Sequence, residues 1–117
     1  MRSALHLKND KLHSLIGLAR RARQVVLGSG GVENSVRQGN SKLVILPIDA
    51  APNTRKRLCD KCSFYNVKVI TVGTKDSLGK ITGGDEVAAI SVTDNNFAQA
   101  LKSLYKEING GGSNGET

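Results

Sequence analysis

The sequence predicts an α/β protein, a three-layer α/β/α sandwich around a small mixed four-stranded sheet. Three observations point there. Stretches with apolar residues at helical spacing alternate with short β-prone runs. The run Lys42 to Ile48 is nearly all apolar, as a strand covered on both faces would be. The length, 117 residues with 38% apolar, suits one compact domain that needs no metal or disulfide staple. With aromatics at 3% and no Trp, the core has to be built from Leu, Val, Ile and Ala.

Asn9 or Asp10 is positioned to cap a first helix that carries Leu12, Leu15, Ile16 and Ala19 on one face. Arg20 and Arg21 leave that face, while Arg23 returns toward it, where its aliphatic stem can lie along the surface. Gln24 to Leu27 reads as a short strand. Gly28-Ser29-Gly30-Gly31 breaks it and opens a second helix to about Gln38, stopped by Gly39. After the strand at Lys42 to Ile48 and a turn at Asp49 to Asn53, Thr54 caps a basic third helix to about Phe64. Asn66 to Val72 is an internal strand ended by Gly73, and Thr74 or Asp76 starts a short helix through Leu78 to Ile81. Thr82 to Glu86 is a Gly-containing loop, Val87 to Val92 the last strand. Thr93 or Asp94 caps a final amphipathic helix bearing Phe97, Ala98, Ala100, Leu101, Leu104 and Ile108. Residues 1–108 are thus expected to form a single domain, and 109–117, rich in Gly, Ser and Asn, a disordered tail.

Seventeen Lys and Arg face ten Asp and Glu, a formal charge of +7, which favours a polyanionic partner because a basic surface releases phosphate counterions. Residues 1–11 lack the apolar centre of an export signal, and no apolar run nears the roughly 20 residues that span a bilayer. A cytoplasmic protein with no membrane partner is expected, and a monomer is the expected state at this size.

Neither metal nor redox chemistry is expected. Cys59 and Cys62 sit late in the third helix, whereas a redox pair normally opens a helix, where the dipole lowers the thiolate pKa. A zinc site needs about four ligands, and only His6 and His13, both far upstream, remain as further candidates. The pair is read as reduced, half-buried structural thiols. No catalytic constellation is visible either. There is no Gly-x-Ser-x-Gly elbow, and the one adjacent acidic pair, Asp85-Glu86, falls in a loop. An enzyme is not expected, and no cofactor is called for.

The most informative local feature is the glycine-bearing turn at Gly28 to Gly31. Glycines admit close backbone approach, and a helix start presents unbonded N–H groups that favour phosphate. It is not a phosphate loop of the Gly-Lys-Ser/Thr kind, and the third glycine of a dinucleotide fingerprint is missing. Read alone, it is either an anion or RNA contact or a flexible strand-to-helix turn. The basic cluster Arg55, Lys56, Arg57 and Lys61 reads as a solvated helix face.

The order and spacing of several segments carry a resemblance. These are Leu15-Ile16-Gly17-Leu18-Ala19-Arg20-Arg21-Ala22-Arg23 with Val25-Val26 and Gly28, then Ser41 to Leu46 with Asp49, Asn53-Thr54, and Asp60-Lys61-Cys62. Leu78-Gly79-Lys80, Val92-Thr93-Asp94 and Phe97-Ala98 complete them. With these segments the chain resembles the kink-turn RNA-binding ribosomal-protein family of the archaeal L7Ae and L30e type, from about Leu15 to Leu104. The resemblance implies structured RNA as partner, with ribosomal RNA or the ribosome as one such target. It also implies two contact elements, Gly28 to Arg37 at the start of the second helix and Thr82 to Ala88 before the last strand. The residues implied are Gly28, Ser29, Gly30, Gly31, Asn34 and Arg37 in the first element, with Lys80, Glu86, Val87 and Ala88 at the second. The family motif at the helix start is Gly-x-Asn-Glu with a Lys three residues on. Here Gly28 matches, while Gly30, Gly31 and Asn34 stand at the Asn, Glu and Lys positions. The alternative is therefore a protein-interaction module of the same fold that has lost specific kink-turn recognition.

Overall fold

The first helix does not wait for a cap at Asn9 or Asp10. In the computed structural model, which describes residues 4–110, α1 runs Ala4–Arg21, because packing against the last helix supports its early turns. Lys8 pairs with Glu107 of that helix at 3.3 Å, and Leu12, Ile16 and Ala19 are buried. α1 closes in a left-handed turn at Arg23, φ 60°, where the Arg23 and Gln24 N–H groups bond back to the Arg20 and Ala19 carbonyls. Arg23 is therefore exposed in the turn and not on the helix face. Arg20 donates from Nε to the Thr82 carbonyl at 3.1 Å, tying the ends of two helices together.

Strand β1 spans Val25–Leu27, followed by α2 at Ser29–Arg37 and β2 at Leu43–Leu46. Helix α3 spans Pro52–Phe64 and strand β3 Val69–Thr71. Pro52, whose fixed φ suits the first helical position, moves the start of α3 ahead of Thr54, and Ala51 takes the N-cap place without a side-chain bond. Helix α4 is Lys75–Thr82, begun by a capping box in which Thr74 and Ser77 exchange side-chain and backbone bonds. Strand β4 is Ile90–Val92, shorter than the sequence predicts, because Val87 leaves the ladder and bonds to the Lys75 carbonyl at 3.1 Å. Helix α5 is Asn95–Gly110, capped by Asp94, whose carboxylate accepts from Phe97 N–H at 2.9 Å. It carries on past Ile108 through the first two residues of the expected tail, with Asn109 donating to the Tyr105 carbonyl at 3.0 Å. The rest of that tail, 111–117, lies outside the described residues.

The sheet order is β1-β4-β2-β3, with β2 and β3 parallel and β4 antiparallel to both its neighbours. The pleat sorts the core in two. Leu43, Ile45, Ile70, Ile90 and Val92 pack with Leu12, Ile16, Leu78 and Leu101 from α1, α4 and α5. Val44, Leu46 and Ala89 pack with Val32, Val36, Leu58 and Cys62 from α2 and α3. This is the expected α/β/α sandwich, three helices on one face and two on the other. Ser91 is buried in the middle of β4, and its hydroxyl donates to Ser41 Oγ at 2.7 Å and meets Ser35 Oγ at 2.9 Å, so the polar groups satisfy each other. No helix among the described residues is long and apolar enough to cross a membrane.

Cys62 is buried against this second core, and Cys59 is half-buried. Burial, and secondarily the neighbouring Cys59, pushes the Cys62 thiol up to about 11. Below the ordinary thiol pKa of about 9 the folded and unfolded states are both protonated there, and nothing is lost. As pH rises from about 9 to 11, the unfolded chain ionises first and the folded state loses stability. Denaturant titrations should show Cys62→Ala losing less stability than the parent between these limits, by about 2 kcal/mol.

Candidate nucleic-acid interface

Gly28 joins β1 to α2 with φ 93° and ψ 148°, a conformation that side chains disfavour. Its carbonyl takes the first helical bond, from Val32 N–H at 2.9 Å, and its own N–H donates to Ala89 at 2.9 Å. No side chain caps α2 and no acid stands in its first turn. The N–H groups of Ser29, Gly30 and Gly31, which have no carbonyl four residues back within the helix, are the donors left for a ligand. A Cβ on Gly30 would meet nothing within 4 Å, whereas one on Gly31 would fall 2.8 Å from Val26 Cγ1. Gly30 therefore faces open space and Gly31 is seated on β1.

One turn further, Asn34 and Arg37 are both exposed, and the Arg37 guanidinium donates to Asn34 Oδ1. That bond leaves the Asn34 amide nitrogen and the rest of the guanidinium as outward donors. Glu33, beside them, is held on the α3 side by Arg57 Nε at 3.1 Å and Lys61 Nζ at 3.7 Å.

The second element approaches from β4. Leu27 pairs with Ile90, so Ala88 and Ala89 enter the sheet beside the turn at Gly28. The preceding loop rests on α4: a Cβ on Gly79 would lie 1.9 Å from the Asp85 carbonyl oxygen, so only glycine lets the two backbones meet. Gly83 (φ 113°) ends α4, and Glu86 is exposed. Val87 is only 7% exposed and belongs to the core, and its N–H is taken by the Lys75 carbonyl at 3.1 Å. Lys80 is exposed and paired with Asp76 on its own helix at 3.2 Å. The structure thus ties Gly28 to Ala89, the residue after Ala88, sets Asn34 and Arg37 one turn below, turns Val87 inward, and engages Lys80 with Asp76 within α4.

Arg55, Lys56, Arg57 and Lys61, expected on one solvated face, are divided in the structure. Arg55 reaches inward to the Pro47 carbonyl at 2.9 Å and Thr71 Oγ1 at 3.3 Å, Lys56 pairs with Asp60, and Arg57 and Lys61 share Glu33. Only the Lys56–Asp60 pair had a local signal, its four-residue spacing. Among the described residues, no group of three or more His, Cys, Asp or Glu could hold a metal ion.

Residues 10–102 match the family described as the ribosomal protein L7Ae/L30e/S12e/Gadd45 family. The chain is 42% identical over 90 residues to the RNA-binding protein YlxQ of Bacillus subtilis (strain 168), spanning 77% of this chain and 90% of that protein. It is 31% identical over 97 residues to the RNA-binding protein YlxQ of Enterococcus faecium, spanning 83% and 93%. A solved protein of unknown function from Bacillus halodurans C superposes with a TM-score of 0.80 at 42% identity, covering 82% of this chain and 97% of that one. The Giardia lamblia 15.5kD RNA binding protein shares the fold, with a TM-score of 0.73 at 19% identity over 92% and 90% of the two chains.

Proposed function

The chain belongs to the ribosomal protein L7Ae/L30e/S12e/Gadd45 family, and on that premise we propose that it binds structured RNA through the α2 N-terminus and the loop before β4. Its place in this family makes it a binding protein and not an enzyme. The observation that carries the RNA reading is the uncapped start of α2. There, backbone donors from Ser29 to Gly31 follow the Gly28–Ala89 bond in a chain of charge +7. A kinked RNA fits this shape, because the kink widens a groove enough for a helix end to reach phosphates and base edges. With glycines at two of the family's base-reading positions, backbone amides do most of the holding, while Asn34 and Arg37 supply the side-chain contacts. The protein works in the cytoplasm as a monomer, and ribosomal RNA is one target of the right kind.

The test is a titration of a kink-turn RNA against the same strand with its sheared G·A pairs replaced by Watson–Crick pairs, each at two salt concentrations. If about 4 phosphates are neutralised, log K should fall against log salt with a slope of roughly −3 to −4, and the kinked RNA should bind tighter. Absent or salt-independent binding overturns the proposal, and equal affinity for the two RNAs reduces it to general basic attraction. Asn34→Ala and Arg37→Ala should each weaken binding without lowering the melting temperature, since both side chains are exposed.

One observation favours a second reading. Gly30, Gly31 and Asn34 replace the side chains that read bases in the family motif, which suits a surface turned to a protein partner. On that reading a pull-down keeps its main partner after RNase treatment, whereas an RNA-tethered partner is lost.

A further inference from the structure

The chain has only four aromatic residues, two Phe and two Tyr. Phe97 and Tyr105 pack against the core, as expected where aromatic surface is scarce. Phe64 and Tyr65 do the opposite. They lie together at the C-terminal end of α3, Phe64 81% exposed and Tyr65 38% exposed, with ring centroids 5.0 Å apart and planes at 78°. Half of the aromatic complement is thus set in solvent at one point. The edge-to-face contact steadies both rings while leaving most of Phe64 open.

The neighbourhood is basic. Between Pro52 and Lys68 the sequence carries five Lys or Arg and a single acid, Asp60. With Arg55 turned inward and Lys56 paired to Asp60, the face beside the rings keeps a net positive charge from Arg57, Lys61 and Lys68 against Glu33 alone. Arg57, Lys61 and the ring pair follow one another up α3 at helical spacing, a stripe bordering α2 through the shared Glu33. Lys68, just past the turn at Asn66, is exposed. β1 and β2 each pair antiparallel with β4, so they run the same way, and α2 and α3 both descend from the end of the sheet where Gly28 lies. The rings therefore sit at the far end of the α2–α3 face, about 20 Å along α3 from its start.

We propose that Phe64 and Tyr65 form a stacking platform for an unpaired strand of the same RNA whose structured part seats on the α2 start; this rests on the RNA reading above. Bases stack on open aromatic rings irrespective of sequence, and lysines alongside follow the backbone. Net positive charge beside the rings, in a chain of charge +7, favours a polyanionic strand over a protein partner.

Phe64→Ala and Phe64→Trp test it, the latter placing a single tryptophan in a chain that has none. Two RNAs are compared, a kink-turn stem alone and the same stem with an unpaired extension of about ten nucleotides. Phe64→Ala should bind the extended RNA about 5- to 30-fold more weakly than the parent and the bare stem equally well, with an unchanged melting temperature. Phe64→Trp should keep the extended affinity, and its emission should be quenched by an unstructured ten-nucleotide oligomer. The platform is overturned if Phe64→Ala binds both RNAs as the parent does, if the tryptophan emission ignores the oligomer, or if the substitution alters only self-association in sedimentation. Should the parent bind neither stem, the α2 reading fails, and the emission titration still decides the platform on its own.

Discussion

Gly79→Ala should cost about 3 kcal/mol or more and lower the melting midpoint by at least about 10 °C. The added methyl would stand 1.9 Å from the Asp85 oxygen and 2.6 Å from its carbonyl carbon. Both are backbone atoms, so no rotamer change relieves the clash, and either α4 or the loop at 83–88 must move. Gly84→Ala is the matched control, since a Cβ there meets nothing within 4 Å. Circular dichroism melts of the two variants give the answer. A midpoint for Gly79→Ala within a few degrees of the parent would mean that the loop is not seated on α4. Because that loop forms one half of the proposed interface, RNA affinity should fall with stability, and to a greater degree than in the control.

Gly30→Asp should separate binding from folding in the opposite direction, lowering RNA affinity at least about tenfold while leaving the melting temperature unchanged or slightly higher. The site has room for the side chain. An acid in the first turn of a helix is stabilising by about 0.3–1 kcal/mol through the helix dipole. The same carboxylate would accept the amides that a phosphate needs and repel the phosphate itself, an effect of a few kcal/mol at near-surface dielectric before salt screening. Fluorescence anisotropy with a labelled kink-turn RNA measures it. Undiminished affinity would show that RNA does not approach the α2 start.

What the sequence disclosed followed the range of the interactions involved. The apolar run around Leu43 to Leu46, a cap at Thr74 or Asp76, a cap at Thr93 or Asp94 and the break at Gly28 each depend on a few neighbouring residues, and the structure has the run, the break and the caps at Thr74 and Asp94. The early start of α1 at Ala4 depends on α5, which lies at the other end of the chain, so a plausible cap at Asn9 or Asp10 misled. Strand ends failed for a like reason: Val87 continues an apolar run, but its N–H goes to α4. At the candidate site, the open helix start was readable from glycines alone. Its junction with Ala89 needed the antiparallel pairing of β1 with β4, which no local pattern announces and which only the family resemblance implied. The partners of Arg55 and Glu33 are likewise products of packing and left no mark in the residue order.

The bond from Gly28 N–H to Ala89 has a consequence for how any kinked RNA would be chosen. It hangs the two proposed contact segments from adjacent rungs of one ladder, so a shift in one is passed to the other. Two segments joined in this way have less conformational freedom to surrender on association than two independent loops would. On the proposed function the bending would fall to the nucleic acid, and sequences that fold over easily at the bulge would gain affinity even at bases the protein never touches. Selection would then act through the mechanical compliance of the RNA, with the protein serving as a fixed mould.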